Sequence, residues 1–378
     1  MRNLIFALLI TSLFAACSSQ GSNESYFVTK LGDDTLAVEQ FLKTESGMAA
    51  TVILRSPEIR FSKYSLELDE TGGISQMQRT DYPPAVGFSG EGALSQSIVR
   101  QGDSLSVEIF GENDTRSYMA PYEEGVLPFI DMVHWPFELA FNSAVAAGQD
   151  TVNQPLLSGN RISNFIIADI EGDSMTIRHP FRGVMGVNVD TEGNIQHLDA
   201  ALTTRKLKVN RVDAVDMNAL ANRYAQNPIG ELSGAVSAEY TIGDVNFRVD
   251  YGSPKKRGRE LFGGIVPYGE IWRTGANRAT HFYTSEDIQI GDLDIPAGEY
   301  TIFTIPEEDE GTMIINSETG QNGNSYDEEQ DFGRVPMQVE QTDQMTEAFT
   351  ITVEETDEGG RLNLIWGNTV YYVDFSIN

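Results

Sequence analysis

The sequence contains only one cysteine, Cys17, and only four histidines. A single cysteine excludes disulfides within the chain, and it excludes a cysteine nucleophile or a thiolate metal site in the rest of the protein. The histidines lie far apart, with no pair at the spacing of metal ligands, so the sequence predicts neither a metal site nor another cofactor. The fold must therefore rest on hydrophobic cores.

Basic residues are also scarce. Lys and Arg total 26 against 56 Asp and Glu, which gives a formal net charge of -30. Nucleic acid is excluded as a main partner, because binding it requires a basic surface that neutralises phosphates. Such acidity suits either attraction of cationic ligands or a strongly solvated surface. The acids are scattered in pairs along the chain, and this pattern favours the solvated surface.

The longest apolar run, Leu4 to Leu13, is too short for a membrane-spanning helix, which needs about 20 apolar residues. It follows the basic start Met1-Arg2 and precedes the small residues Ala15 and Ala16. This order is typical of an export signal peptide, which we assign to residues 1–16.

The stretch Phe14-Ala15-Ala16-Cys17 resembles the lipobox of bacterial lipoproteins. The resemblance implies that the signal is removed before Cys17 and that the cysteine carries lipid, which makes the membrane a partner of the protein. Residues 17–24 contain little that could be buried and are expected to form a flexible tether. Ser18 is similar to the residue at this position in lipoproteins sorted to an outer membrane. We therefore expect a lipid-anchored outer-membrane protein, on the periplasmic face or the cell surface.

From Tyr26 onward, short runs of β-branched and aromatic residues alternate with clusters of Gly, Asp and Asn, as in antiparallel hairpins. One helix is expected near 217–224, with Asp213 or Asp216 as its cap and Asn227-Pro228 as its end. The apolar segment 122–148 is predicted to be a helix or loop that plugs a sheet or lines a cavity. The fold class is mainly β.

Two domains are expected from the length of the chain. An N-terminal antiparallel sheet domain with one packed helix is assigned to residues 25–230. The segment 229–234 is interpreted as a linker. A C-terminal domain is assigned to residues 236–378.

The last third contains an ordered set of motifs: Tyr251-Gly252-Ser253-Pro254, Arg257-Gly258-Arg259, Pro267-Tyr268-Gly269, Trp272-Arg273-Thr274-Gly275-Ala276-Asn277 and Pro296-Ala297-Gly298-Glu299-Tyr300. This set of motifs resembles that of a bacterial domain-of-unknown-function (DUF) family that is common in exported Bacteroidetes-type proteins. The resemblance covers about residues 236–378. It implies a compact β-sandwich-like domain without an established activity.

Four arginines are gathered within residues 257–278 of this acidic chain. A guanidinium group suits a carboxylate, sulfate or phosphate, an indole can form an aromatic wall, and Asn and Thr supply directional hydrogen bonds. These properties predict a site for a small polar, anionic or sugar-like ligand. The alternative is that Arg273 and Asn277 satisfy backbone carbonyls while Trp272 fills the core. The candidate binding residues are Tyr251, Arg257, Arg259, Trp272, Arg273, Thr274, Asn277 and Thr280.

Signals for catalysis are weak, and no catalytic residue is assigned. Gly102-Asp103-Ser104-Leu105 spells an esterase motif, but Ser104 leads into an alternating run and is interpreted as part of a hairpin turn. His134 and His179 could meet in space and act as bases, and two distant carboxylates could form a glycosidase pair. Nothing in the sequence selects either arrangement, so whether the protein is an enzyme is uncertain and the balance is against it.

The sequence therefore favours a lipid-anchored envelope protein that acts as a ligand-binding or interaction module through the loop 251–280. One alternative is a carrier that holds an apolar ligand in a curved N-terminal sheet, with residues 122–141 at its mouth. The other is a hydrolase of envelope polysaccharide or ester.

Overall fold

The computed structural model of the protein describes residues 24–377. The predicted signal peptide, Cys17 and the tether up to residue 23 lie outside the described residues. Glu24 already belongs to the first strand.

Fifteen strands form the first sheet, in the order β8-β7-β6-β5-β4-β3-β2-β1-β15-β14-β13-β12-β11-β10-β9. Neighbouring strands pair antiparallel except β9 and β10, which run parallel. The strands are β1 (Glu24–Leu31), β2 (Asp34–Lys43), β3 (Gly47–Leu54), β4 (Arg60–Leu68), β5 (Ile74–Tyr82), β6 (Ala93–Gln101), β7 (Ser104–Phe110), β8 (Thr115–Pro121), β9 (Leu127–Pro128), β10 (Thr151–Ser158), β11 (Arg161–Glu171), β12 (Ser174–His179), β13 (Gly183–Val189), β14 (Ile195–Asp199) and β15 (Lys208–Val212). The Gly102-Asp103-Ser104 stretch forms the tight turn between β6 and β7, as the alternating sequence after it predicts.

Both faces of this sheet are covered, and strand alternation decides which side chain goes where. In β4, Tyr64 and Leu66 belong to the large inner core, whereas Phe61 faces a smaller cluster on the other side. In β2, Phe41 belongs to the inner core and Val38 to the outer cluster. Each face of the sheet packs against one helix.

The inner face holds α1 (Trp135–Ala147), within the segment for which the sequence left helix or loop open. Trp135 and Phe141 are fully buried in the inner core. The backbone N–H groups of His134 and Trp135 donate to the carboxylate of Glu39 on β2, at 2.8 and 2.9 Å. A carboxylate at this position satisfies orphan donors and complements the positive end of the helix dipole.

The outer face holds the helix that the sequence predicted, α2 (Met217–Tyr224). Asp216 is its N-cap, and the side chain accepts hydrogen bonds from the backbone N–H groups of Asn218 and Ala219. Met217 and Tyr224 pack into the outer cluster. Within residues 24–377, no helix is both long and apolar enough to span a membrane.

Nine strands form the second sheet, in the order β16-β17-β18-β21-β22-β23-β24-β19-β20. They are β16 (Ser233–Ile242), β17 (Val245–Pro254), β18 (Thr280–Thr284), β19 (Ile288–Ile290), β20 (Leu293–Ile295), β21 (Gly298–Pro306), β22 (Gly311–Asn316), β23 (Asp331–Thr356) and β24 (Gly359–Ile377). Register shifts between Gln341 and Thr350 interrupt the long β23–β24 pair. The far part of β23 approaches the first strands of the sheet, where the Tyr240 hydroxyl donates to the Ile351 carbonyl. The prediction of a mainly β protein with a sandwich-like C-terminal part is confirmed.

The two sheets touch at the turn between β1 and β2. The backbone N–H of Asp33 donates to the Arg257 carbonyl at 3.0 Å, and the Arg257 guanidinium pairs with Asp34. Gly32 has a φ of +59°, and a Cβ at this position would lie 1.9 Å from the Arg257 oxygen. A larger residue therefore cannot replace Gly32 without moving the two sheets apart.

Candidate functional site

A cleft of about 620 Å³ lies between the end of the first sheet and the second sheet. Small-molecule sites typically occupy about 300–1,000 Å³. Five cationic and two acidic side chains line the cleft, namely Arg182, Arg205, Lys206, Arg259, Arg273, Asp131 and Glu231. The cleft is thus locally cationic in a chain whose net charge is -30, and such a local excess attracts anions.

Arg182 and Arg205 form the part of the cleft wall that belongs to the first sheet. Both bind the Asp131 carboxylate, Arg182 through Nη1 at 2.7 Å and Arg205 through Nη2. The loops that carry the two arginines are joined, because the Thr204 N–H donates to the Arg182 carbonyl at 3.1 Å. Asp131 therefore holds the two guanidinium groups in place and leaves one of their two positive charges uncompensated.

Lys206 follows on the same loop, in a left-handed backbone conformation with a φ of +51°. Its Nζ donates to the Ala201 carbonyl at 3.2 Å. Burial lowers the pKa of Lys206, and the charges of Arg259 and Arg273 lower it further. The ammonium group therefore senses both guanidinium groups across the cleft.

Arg273 and Arg259 form the opposite wall. Arg273 donates from Nη1 to the Asn324 side chain, while its buried Nε has no partner among residues 24–377. Arg259 donates to the backbone carbonyls of Lys256 and Lys255, at 3.0 and 2.5 Å. Burial lowers the pKa of both guanidinium groups, although arginine stays protonated in proteins. Among the described residues, neither arginine forms an ion pair with a carboxylate.

Two tryptophans add an apolar surface to the cleft. The indoles of Trp272 and Trp366 are nearly parallel, at 10°, with ring centroids 6.0 Å apart. Phe349 packs edge-on against Trp272 at 5.0 Å, and the backbone of Trp272 exchanges two hydrogen bonds with Thr304 on β21. This packing fixes the orientation of the indole that borders the cleft.

Amide side chains complete the rim. Asn277, Asn322 and Asn324 line the cleft and are exposed. The Nδ2 of Asn277 donates to the Ser233 carbonyl at 3.2 Å, and the Oδ1 of Asn322 accepts from the backbone N–H of Asn324. Each amide keeps one further polar atom for a ligand, because only one of the two is engaged in these bonds.

The tryptophans and amides of this wall all lie in the part of the chain that matches a known protein family. Residues 233–375 match the family model for a protein of unknown function, DUF2911. The prediction that this part of the chain is a DUF domain is confirmed, and the match brings no activity with it. No curated protein matches the chain.

Half of the predicted binding residues line the cleft. Within the DUF2911 region, Trp272, Arg273, Asn277 and Arg259 do so. Arg273 is not spent on backbone carbonyls, whereas Asn277 donates to one. The alternative of internal cross-linking therefore applies only in part.

The other four predicted binding residues stabilise the fold away from the cleft. Tyr251 is buried and its hydroxyl accepts from the Ile351 N–H at 3.2 Å. Thr274 and Thr280 are fully buried, and the Thr280 hydroxyl donates to the Thr274 carbonyl at 2.6 Å. Arg257 pairs with Asp34 where the two sheets touch.

The sequence reasoning missed the half of the site that comes from the first sheet. Arg182, Arg205 and Lys206 lie 45 to 69 residues before the start of the loop 251–280, so their proximity could not be seen in one segment. A weak signal was present, because the stretch 200–206 contains two cations and no acid in a strongly acidic chain.

The histidines lie outside the cleft lining. His134 and His179 both border a small cavity of about 30 Å³ that Asp131 also lines. His134 Nδ1 contacts Thr29 at 3.1 Å, and burial lowers the pKa of His179 to about 4. The described residues include no group of three or more His, Cys, Asp or Glu side chains arranged to hold a metal ion.

Proposed function

We propose that this protein is a lipid-anchored cell-envelope protein that binds a small anionic ligand in the cleft between its two sheets. Arg273 carries the proposal: it lines the cleft, it has no carboxylate partner among residues 24–377, and only its Nη1 donates a hydrogen bond to them, which leaves Nη2 for a ligand. A hydrogen bond from this charged group to an anion would contribute about 1.5–3 kcal/mol.

The charges around Arg273 support the same conclusion. Lys206 and Arg259 line the same cleft and form no ion pair with any of the residues 24–377, and Arg182 and Arg205 share the single carboxylate of Asp131. The cationic side chains in the cleft repel one another, and a bound anion would relieve this repulsion.

The anchor is proposed from the N-terminal sequence, which lies outside the described residues. Lipid on Cys17 would hold the cleft near a membrane surface, and the outer membrane is the proposed location. Substitution of Cys17 by serine should move the protein from the membrane fraction to the soluble fraction. An unchanged distribution would count against the anchor and would leave the cleft proposal untouched.

The two alternatives receive less support from the side chains. For the carrier, the space between the first sheet and α1 is filled by a continuous core, and the adjoining cavity of about 30 Å³ has room for about one water molecule. For the hydrolase, two carboxylates do line the cleft, but Asp131 is engaged by two arginines.

The proposal is tested by titrating the full-length protein, solubilised in detergent, with inorganic phosphate in a calorimeter. We expect one phosphate to bind per protein at low ionic strength, and the affinity should fall as sodium chloride is added, because salt screens charges in an open cleft. Absence of binding at low ionic strength would contradict the proposal.

A further inference from the structure

We propose that the ligand of the cleft is a phosphorylated sugar, bound with its phosphate among Lys206, Arg259 and Arg273 and its ring beside Trp272. This inference rests on the proposed function and narrows it from an anion to a class of molecule. It is carried by the cleft lining, in which these three cations, without a carboxylate partner in the part of the chain that the structure describes, lie beside the Trp272 indole and three asparagine side chains.

The charge of the cleft favours a doubly charged group over a singly charged one. Its cationic side chains exceed its acidic ones by three. Asp131 is already bound by Arg182 and Arg205, so it cannot neutralise the opposite wall. A phosphate monoester brings nearly two negative charges and several acceptor oxygens at pH 7, and thus matches cations that approach from different sides.

The guanidinium groups of Arg273 and Arg259 are held in fixed orientations by hydrogen bonds within the protein. The Nη1 of Arg273 is held by the Asn324 side chain, which orients the planar guanidinium group, and its Nη2 donates to none of the residues 24–377. Guanidinium groups bind phosphate through parallel N–H donors. Arg259 is fixed through two backbone carbonyls, so it too is oriented before a ligand arrives.

The cleft is larger than inorganic phosphate requires, and its lining contains groups that phosphate would not use. Its volume of about 620 Å³ greatly exceeds that of a bare anion and leaves room for a sugar. The indole of Trp272 is locked by Trp366 and Phe349 and offers an apolar surface next to the cations. Rings with a polar edge and an apolar face suit such a combination of aromatic wall and directed polar groups.

Three asparagine side chains of the cleft are available to form hydrogen bonds with the hydroxyl groups of a sugar. Asn277, Asn322 and Asn324 belong to the same cleft, and each retains a polar atom that the described side-chain hydrogen bonds do not use. Amides both donate and accept, which is what a sugar hydroxyl requires.

Calorimetric titrations of the full-length protein in detergent with glucose 1-phosphate, inorganic phosphate and glucose test the inference. Glucose 1-phosphate should bind at least about tenfold more tightly than inorganic phosphate, and glucose should bind more weakly than either. Equal affinities for glucose 1-phosphate and phosphate would overturn the sugar and leave the anion site standing. Equal affinities for glucose and glucose 1-phosphate would overturn the phosphate. Failure of all three ligands would overturn the proposed function as well.

Two variants separate the contribution of the ring from that of the phosphate. Trp272→Leu should lower the affinity for glucose 1-phosphate to about that for inorganic phosphate. Because Trp272 also packs against Phe349, Asn277→Gly, at an exposed position whose φ of +66° suits glycine, provides a second measurement in a protein with an intact core. It should weaken glucose 1-phosphate binding and leave phosphate binding unchanged. An equal loss for both ligands would contradict the assignment of the amides to the sugar.

Discussion

Replacement of Arg211 by methionine is expected to destabilise the protein by about 3–5 kcal/mol at pH 7, because it leaves the buried Glu138 without a counter-charge. Glu138 is almost completely buried on α1, and its carboxylate accepts from Arg211 Nη2 at 2.5 Å and from the Ile195 N–H at 2.8 Å. The free energy of unfolding from urea titrations measures the effect.

The loss of stability should shrink as the pH is lowered. Burial raises the pKa of Glu138, and Arg211 opposes that rise. Without Arg211 the pKa in the folded state rises further above the unfolded value, so folding takes up a proton and is favoured by acid. The difference between variant and parent should therefore be smaller at pH 5 than at pH 7.

An exposed ion pair serves as the matched control. Arg361 pairs with Asp374 at 2.6 Å on the surface of the second sheet, and Arg361→Met should cost at most about 1 kcal/mol. Adding Glu138→Gln to the Arg211 variant should recover part of the loss. Similar costs for the two arginine variants would show that Glu138 is not charged in the folded protein.

The second large effect concerns the ligand. Arg273→Gln should weaken binding of inorganic phosphate by about 10- to 100-fold, since hydrogen bonds to charged groups contribute about 1.5–3 kcal/mol. The stability of the protein should not fall, because Arg273 forms no ion pair among the described residues and its unpaired Nε is removed. Parallel calorimetric titrations and unfolding curves measure the two quantities.

Arg248 provides the control for this variant. It pairs with Asp250 and Glu299 on the exposed surface of the second sheet and does not line the cleft. Arg248→Gln removes the same charge and should leave phosphate affinity unchanged within about twofold. If both variants weakened binding equally, the effect would reflect net charge, and Arg273 would have no specific part in the site.

The sequence predicts the strands and the outer helix well because their signals are local. Alternation assigns Phe61 and Tyr64 to opposite faces of β4, and Asp216 caps α2 within three residues of its own position. In contrast, α1 depends on Glu39, which caps it from a strand nearly 100 residues away. No local pattern shows a cap that the fold brings from another strand.

The candidate site likewise has one part that local sequence identifies and one part that only the fold assembles. The motif around Trp272 identifies the wall of the cleft that lies in the DUF2911 region, and Arg273 and Asn277 do line it. Lys206, between β14 and β15, and Asp131, between β9 and α1, join the site only because the fold brings these loops to the same cleft. Arg257 and Arg273 are both arginines of the same motif region, but Arg257 forms an ion pair with Asp34. The composition of the sequence cannot show which of the two arginines has a carboxylate partner.

Binding of an anion between the two sheets is tested most directly by the indole resonances of the three tryptophans. Trp272 and Trp366 border the cleft, whereas Trp135 lies in the inner core of the first sheet. Addition of phosphate to 15N-labelled protein should shift the Trp272 and Trp366 indole N–H signals and leave that of Trp135 in place. Binding that shifts only Trp135, or none of the three, would contradict the claim.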